Sequence, residues 1–407
     1  MRSPAFRRYS WGFVDIRVEP QHMEKETMHL PRSPRWGLTL LALPFVLVAC
    51  GPDAPDAPDA ADTPEAATVG VPQFEPATDW PRGIPEHWVI GPGTGIHVDS
   101  RDHVWILHRP ERISDEDMEA AFDAEIPGCC EKAPPLMEID ANGEMVAAWG
   151  SIEPSETWPL MPHGVFVDHN DFVWVATSIH HQVMKFTRDG DHLMTIGVFD
   201  EVGGSNDPDL LGGSADIHVD PETNELFVAD GYANRRVIVF DGETGDYLRH
   251  WGAYGERPDD EVEAVRPAEG QPPSRQFNLP HGISGSNDGL IYVGDRTNSR
   301  VQVFTREGEF IQEQVIRPGA AGAFDVAFSP GPAQEFLYVA DGQEHQIWVL
   351  RRSDLEILDR FGREGTGPGE FGRPHNMATD SQGNIYVAEA DPGRRFQKFT
   401  FQGVGTP

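Results

Sequence analysis

The sequence is poor in cysteine and in positive charge, and both shortages exclude classes of protein. Its 407 residues contain only 3 cysteines, too few for a disulfide-stapled scaffold or a four-cysteine zinc site. Cys129 and Cys130 are adjacent, which leaves open either a vicinal disulfide or two free thiols. Lysine and arginine number 32 against 66 aspartates and glutamates, for a net charge of −34. A surface this acidic repels polyanions, so we expect no nucleic-acid partner.

Long hydrophobic runs are also missing. The most apolar stretch, "RWGLTLLALPFVLVAC", is too short to span a bilayer as a helix. It follows basic residues and ends in Leu47-Val48-Ala49-Cys50, which resembles the lipobox of bacterial lipoproteins, where the cysteine is cut free and lipidated. An ordinary secretory signal with a chance cysteine is the alternative. We expect a lipoprotein signal peptide over residues 1–50, with Met28 as an alternative start.

The segment after Cys50 reads "GPDAPDAPDAADTPEAATVG", rich in proline, alanine and aspartate. Such a composition buries too little apolar surface to fold. We therefore predict a disordered tether over residues 51–75 and a folded domain over residues 76–407. The lipid on Cys50 would hold this exported domain at a bacterial membrane, on its periplasmic or extracellular side.

The folded part is rich in turn-forming residues and in repeats. The chain contains 42 glycines and 35 prolines, a level typical of many short strands joined by tight turns. Six related units follow one another, and three of them begin "MPHGVFVDHNDFVWVAT", "LPHGISGSNDGLIYVGD" and "RPHNMATDSQGNIYVAEA". Four strands per unit and no helical periodicity predict an all-β fold, a six-bladed β-propeller of NHL-type repeats.

The repeat alignment places histidine at one position in alternate blades. The six equivalent residues, at the start of each innermost strand, are Thr94, His163, Ala215, His281, Phe324 and His375. Because alternate blades lie a third of a turn apart around the channel, three imidazoles can converge on one point. A set of three histidines with a fourth position open is the arrangement of catalytic zinc sites. The sequence therefore predicts a zinc centre at the channel mouth.

Three other side chains are predicted to share the rim with these histidines. The loop after each second strand lies on that rim, and it carries Arg109 in "ILHRPER", Tyr232 in "VADGYANRR" and Arg296 in "VGDRTNSR". The acidic and amide residues of the same loops are expected only to end strands and set turns. These are Asp230, Asn234, Asp295, Asn298 and Asp341.

At these motifs the sequence resembles the peptidyl-α-hydroxyglycine α-amidating lyases, six-bladed propellers with a zinc ion held by three histidines. The resemblance covers roughly residues 90–400 and is strongest in "PHGVFVD", "VDPETNELFVADGYANRR", "LPHGISGSNDGLIYVGDRTNSRVQVF" and "RPHNMATDSQGNIYVAEA". It implies that Tyr232 is the catalytic tyrosine and that Arg109 and Arg296 are the active-site arginines. It implies the zinc ligands His163, His281 and His375.

The resemblance also implies a structural calcium ion in the channel, held partly by the backbone carbonyls of Ile96 and Val165. The family has an aspartate directly after the third histidine, whereas this chain has Asn376. An amide oxygen can coordinate calcium but adds no negative charge. Calcium therefore stays an open expectation at this stage.

The expected activity is cleavage of the C–N bond of a peptidyl- or N-acyl-α-hydroxyglycine to an amide and glyoxylate. No copper monooxygenase segment precedes the repeats, so we expect a separate enzyme to make the hydroxylated substrate. Two alternatives stay open: a non-catalytic NHL scaffold that binds a protein or glycan, and another propeller lyase or lactonase of the streptogramin lyase or gluconolactonase type.

Overall fold

The structure is a computed structural model that describes residues 70–406 except 124, 125, 127, 128, 154, 264, 267, 269 and 273. The predicted signal peptide, the predicted lipidation site Cys50 and residues 51–69 of the predicted tether lie outside the described residues. Within the described part, no helix combines the length and hydrophobicity that a bilayer crossing requires.

The chain forms six four-stranded antiparallel sheets, which confirms the predicted six-bladed propeller. Strand β1 spans Val71–Ala77 and β2 spans Trp88–Val89. Blade 1 contains β3 (Gly93–Val98), β4 (Val104–His108), β6 (Leu136–Ile139) and β7 (Met145–Trp149), with the short β5 (Glu131–Lys132) between β4 and β6. Blade 2 contains β8 (Pro162–Val167), β9 (Val173–Thr177), β10 (Val183–Phe186) and β11 (His192–Ile196). Blade 3 contains β12 (Ser214–Val219), β13 (Glu225–Asp230), β14 (Arg236–Asp241) and β15 (Tyr247–Trp251).

The second half of the ring repeats this order. Blade 4 contains β16 (Pro280–Gly285), β17 (Leu290–Asp295), β18 (Arg300–Thr305) and β19 (Phe310–Val315). Blade 5 contains β20 (Asp325–Phe328), β21 (Phe336–Asp341), β22 (Gln346–Arg351) and β23 (Ile357–Phe361). Blade 6 contains β24 (Pro374–Thr379), β25 (Ile385–Glu389) and β26 (Arg395–Gly405). The helices of the described part are α1 (Asp115–Ala121) and the 3₁₀ helices Pro110–Arg112 and Ala253–Gly255.

The sixth blade is completed by the other end of the chain. Strand β1 pairs with β26 from Val71 opposite Gly405 to Ala77 opposite Lys398, so it is the outermost strand of that blade. Residues 71–75 therefore belong to the propeller rather than to the predicted tether. Two prolines in "VPQFEPA" obscured this strand in the sequence, but proline is tolerated on an edge strand because one side of it needs no hydrogen bond.

The core lies between the blades. Each of the six interfaces holds one cluster of buried side chains that face each other across neighbouring sheets. Between blades 1 and 2, for example, Trp105 and Leu107 pack with Val175 and Phe186. Alternate side chains of each strand point to opposite faces of its sheet, so both faces of every blade are used. Each buried side chain of this size contributes about 1.5–3 kcal/mol.

In the α1 region, Cys129 and Cys130 form a vicinal disulfide, which answers the question that their spacing left open. Ser114 begins α1 with a capping box, since its hydroxyl accepts from the Asp117 amide while the Asp117 carboxylate accepts from the Ser114 amide. Asp117 also pairs with Arg394, which directly precedes β26 of blade 6 (2.7 Å).

Candidate metal centre

The structure brings the three predicted histidines together at one mouth of the channel. The ring centroids of His163, His281 and His375 lie 4.7–4.9 Å apart. Each ring offers one nitrogen to a common point, and these nitrogens lie within 4.8 Å of one another. All three side chains are buried, and burial lowers their pKa values, that of His375 to about 3. The imidazoles are therefore neutral, the state that a metal ligand requires.

The other nitrogen of each ring is held by the backbone of the next blade. Nδ1 of His163 donates to the carbonyl of Ala215 (2.6 Å), and Nδ1 of His281 donates to that of Phe324 (2.7 Å). Nδ1 of His375 donates to the carbonyl of Thr94 (3.0 Å). These bonds place the proton on Nδ1 and leave the Nε2 lone pair free, the usual way in which a protein orients histidine toward a metal.

These carbonyls come from the three repeat positions that lack histidine. The six equivalent positions therefore alternate between a blade that supplies an imidazole and a blade that supplies the carbonyl orienting it. The alternation could be read from the sequence, but the carbonyl partners could not, because every residue type has a carbonyl. The donor set, its neutral state and its orientation fit a zinc ion in a three-histidine site.

Tyr232 lies directly beside the point on which the imidazoles converge. Its hydroxyl oxygen is 2.7 Å from Nε2 of His163 and 3.4 Å from Nε2 of His281. Although 38% of the Tyr232 surface is exposed, the protein around its hydroxyl raises the pKa of Tyr232 by desolvation, while the positive charges of Arg296 and Arg109 and a hydrogen bond with Arg296 oppose that rise. The two arginines alone are thus insufficient to make the phenol acidic.

Gly231 lets Tyr232 reach this place. A β-carbon at Gly231 would lie only 2.0 Å from the carbonyl oxygen of Pro280, the residue before His281. Any side chain there would push the tyrosine loop away from blade 4.

The two predicted arginines flank the same point and are held in different ways. Arg109 donates through Nε to the carbonyl of Pro162 (2.8 Å) and through Nη2 to the hydroxyl of Ser178 (2.8 Å). The guanidinium of Arg296 stacks on the ring of Phe324, 3.9 Å from its centroid. Since Phe324 occupies a repeat position without histidine, its side chain supports an arginine while its carbonyl orients His281.

A buried ion pair supports each of the two loops that carry Tyr232 and Arg296. Asp230 accepts from Arg236 (2.9 Å), and Asp295 accepts from Arg300 (2.8 Å), with all four side chains inaccessible to water. Asn234 and Asn298 donate to the same two carboxylates (2.8 and 2.7 Å). These aspartates and asparagines thus have the turn-setting role expected of them, but they also pair with a buried arginine.

The residues predicted for calcium line the channel beyond the histidines. Ile96, Val165 and Asn376 lie around a cavity of about 470 Å³, together with two aspartates that the sequence did not single out. These are Asp216 and Asp325, which directly follow Ala215 and Phe324. Asp325 accepts from the amides of Met377 (2.7 Å) and Asn376 (3.3 Å). The channel therefore holds two buried carboxyl groups. Burial and the neighbouring Asp325 raise the pKa of Asp216 well above its usual value, and burial raises that of Asp325 to about 7, so a bound cation would be needed to keep both of them anionic.

Two further arginines that the sequence analysis missed lie at the same mouth. Arg112 and Arg373 line a cavity of about 350 Å³ with Tyr232, Arg109 and Arg296. Arg373 stands two residues before His375, where the equivalent residues of blades 2 and 4 are Met161 and Leu279, so the repeat alignment itself contained this signal.

Comparison with known proteins agrees with this architecture and with the motifs. Residues 277–304, which include His281 and Arg296, match the NHL repeat. The streptogramin B lyase structure superposes with a TM-score of 0.50 at 13% identity, covering 82% of this chain and 98% of that one. At that identity the likeness concerns the fold alone. The chain is thus an NHL-type six-bladed propeller with three histidines convergent at the channel mouth.

The curated relatives narrow the class. The chain is 28% identical to peptidyl-glycine α-amidating monooxygenase B of Xenopus laevis over 78% of its own length and 34% of that protein. It is 24% identical to a probable peptidyl-α-hydroxyglycine α-amidating lyase of Caenorhabditis elegans, over 75% of this chain and 81% of that one. The chain spans about a third of the length of the amidating monooxygenases it matches. The resemblance to the peptidyl-α-hydroxyglycine α-amidating lyases is thereby confirmed, and it supports an enzyme family of propeller lyases.

Proposed function

We propose that this chain is a zinc-dependent lyase that cleaves the C–N bond of a peptidyl- or N-acyl-α-hydroxyglycine, releasing an amide and glyoxylate. The observation that carries the proposal is the placement of the Tyr232 hydroxyl 2.7 Å from Nε2 of His163, beside three neutral imidazoles and between two arginines. His163, His281 and His375 would hold the zinc ion. When bound, it would supply a Lewis acid that polarises the substrate hydroxyl and a positive charge beside the phenol.

The arginines would bind the carboxylate end of the substrate. Arg109 uses Nε and Nη2 for its contacts with Pro162 and Ser178, which leaves its other terminal nitrogen, Nη1, for a ligand. Arg296 stacks on Phe324 and also forms a hydrogen bond with the Tyr232 hydroxyl, and its remaining N–H groups would be available to the substrate. Two guanidinium groups held in this way can donate hydrogen bonds to a carboxylate and bind it in one orientation.

Tyr232 would act as the general base. Its phenolate takes the proton from the substrate hydroxyl, the hydroxyl carbon becomes the aldehyde of glyoxylate, and the C–N electron pair passes to nitrogen. That nitrogen needs one proton, which the phenol can return, so the released amide carries the proton that left the hydroxyl. Free tyrosine has a pKa near 10 and burial raises it here, so this role would need the positive charge of a bound zinc ion in addition to that of the two arginines.

The proposal is tested by elemental analysis of the purified domain and by glyoxylate release from N-benzoyl-α-hydroxyglycine. We expect about one zinc ion per chain, and loss of both zinc and turnover after treatment with a chelator. His281→Ala should lose the metal. Tyr232→Phe should keep it and lose at least about 100-fold in kcat, the usual contribution of a positioned base.

Tyr247→Phe is the matched control, since Tyr247 lies on the outermost strand of blade 3 and contacts only the His250 ring through its hydroxyl. Full activity in Tyr232→Phe would show that another group is the base. A zinc-loaded protein that releases no glyoxylate would instead favour the non-catalytic scaffold.

We also propose that the channel cavity binds a structural calcium ion. Asp216 and Asp325 would provide the oxygen ligands that calcium prefers, with the carbonyls of Ile96 and Val165 as the family resemblance implies. The Asn376 side chain donates through its amide nitrogen to Asp325 and its oxygen faces Nδ1 of His375, so it would hold Asp325 in place rather than bind the ion. The lipid anchor at Cys50, the export and the separate hydroxylating enzyme stay predictions.

A further inference from the structure

The cavity beside the three histidines is lined by an unusual number of guanidinium groups. Arg109, Arg112, Arg296 and Arg373 all face about 350 Å³ of space. The chain as a whole carries a net charge of −34, so positive charge is concentrated here against the general trend of the surface.

None of these four arginines forms an ion pair within the described part of the chain. Fourteen other described arginines pair with a carboxylate. Asp391, the carboxylate among the described lining residues, is itself paired with Arg394. Unpaired like charges in one cavity are unfavourable until an anion joins them.

The charges of Arg112 and Arg373 act on the two inner arginines, Arg109 and Arg296. Burial lowers the pKa of Arg109; Tyr232, Glu111 and Asp391 oppose that effect, and the charge of Arg112 adds to it. Burial lowers the pKa of Arg296 as well; Tyr232 opposes that effect, and the charge of Arg373 adds to it. The outer arginines are thus close enough to act on the inner ones, and both are exposed to solvent at the mouth.

One carboxylate does not account for all four groups. The carboxylate of an α-hydroxyglycine would be bound by the inner pair, Arg109 and Arg296, which stand beside Tyr232. Arg112 and Arg373 are the exposed members of the set, so a substrate group that extends toward the mouth would meet them. Neither has a side-chain hydrogen bond or ion pair with any described residue, so their donors are available to such a group.

We propose that the natural substrate is an N-acyl-α-hydroxyglycine whose acyl part carries a second anionic group, and that Arg112 and Arg373 bind that group. The inference rests on the proposed lyase function and adds the substrate class to it. It distinguishes this chain from an enzyme that accepts neutral peptides, because a neutral acyl part would leave two guanidinium groups unpaired.

The test compares two substrates of the same shape: N-succinyl-α-hydroxyglycine, with a terminal carboxylate, and its terminal primary amide. We expect the wild-type kcat/KM to be about tenfold higher for the acid, because a hydrogen bond between two charged groups contributes about that factor. Salt should shrink that ratio. Arg373→Gln and Arg112→Gln should each lower the ratio several-fold.

Arg101→Gln is the matched control, because Arg101 lies in the turn between β3 and β4 at the opposite end of the channel and pairs there with Asp171. It removes the same charge and should leave the ratio unchanged. Equal kcat/KM for acid and amide in the wild type would overturn the proposal while leaving the lyase function intact.

If neither substrate is turned over, a binding measurement still tests the second anion site independently of the lyase function. N-succinylglycine and its terminal amide lack the reactive hydroxyl, and calorimetric titration reports their affinity directly. Tighter binding of the acid, lost in Arg373→Gln, would support the second anion site even without turnover. Equal affinity of the two compounds would refute it.

Discussion

Replacing Asp230 with asparagine tests whether the buried ion pairs hold the active-site loops. Asp230 accepts hydrogen bonds from Arg236, from Asn234 and from the amide of Gly212 (2.7 Å). Asparagine has almost the same shape, but it cannot balance the charge of Arg236, which is fully buried. The substitution therefore isolates the charge from the packing.

The expected loss of stability follows from the surroundings of Arg236. Breaking a buried ion pair costs about 3–5 kcal/mol, because one charge stays buried without a partner. Arg236 also donates to the carbonyls of Ser205, Asp207 and Leu210, which partly compensate its charge. We therefore expect a loss of about 3 kcal/mol. For a domain of about 330 residues, that corresponds to a fall in Tm of about 4 °C.

Thermal unfolding followed by circular dichroism measures this change. Asp354→Asn is the control, because Asp354 forms an exposed pair with Arg351 and should lower Tm by less than about 1 °C. The double variant Asp230→Asn with Arg236→Met removes both charges and should recover most of the loss. A Tm for Asp230→Asn within about 1 °C of the wild type would refute the reasoning.

Two further predictions concern protons and calcium. His108 accepts from the Gly91 amide through Nδ1 and donates through Nε2 to the Pro134 carbonyl, and burial lowers its pKa to about 4. In the unfolded chain the same histidine has a pKa near 6.5, so on acidification the unfolded state binds a proton before the folded state does. The stability that neutral His108 contributes to the folded state is therefore fully present above pH 6.5. The free energy of unfolding should therefore fall by about 3 kcal/mol as the pH falls to 4. In His108→Gln, the slope of the free energy of unfolding against pH, measured by denaturant titration, should decrease by the equivalent of about one proton. An unchanged slope would contradict this. Calcium at about 100 times its dissociation constant should raise the wild-type Tm by about 4 °C. Asp325→Asn should show a smaller rise at the same calcium concentration. An equal rise in both proteins would be evidence against a site at Asp325.

The fold could be predicted from the sequence because propeller blades are local in sequence. Each blade is a run of consecutive strands, so its apolar alternation and its turns are readable without knowing the partner sheets. The exception is β1, whose partner β26 lies more than 300 residues further along the chain. No local pattern in "VPQFEPA" reports a pairing of that range.

The histidines of the candidate centre could be predicted for the same reason. In a regular propeller, equivalent residues of successive blades are related by rotation about the channel axis. His163, His281 and His375 were therefore expected to converge, and the structure brings them together. Tyr232, Arg109 and Arg296 lie at the same mouth because their loops occupy one position of the repeat.

The remaining features depend on contacts between blades, which no single repeat contains. The sequence by itself determined the number of blades, the strand order and the angular spacing of the imidazoles, since these follow from periodicity. Only the tertiary structure decided which carbonyls orient the rings, that Asp216 and Asp325 share the channel, and that Arg112 lines the same cavity as Arg296. Those pairings join residues that lie far apart in the sequence and on different sheets, and they exist only once the ring of blades has closed.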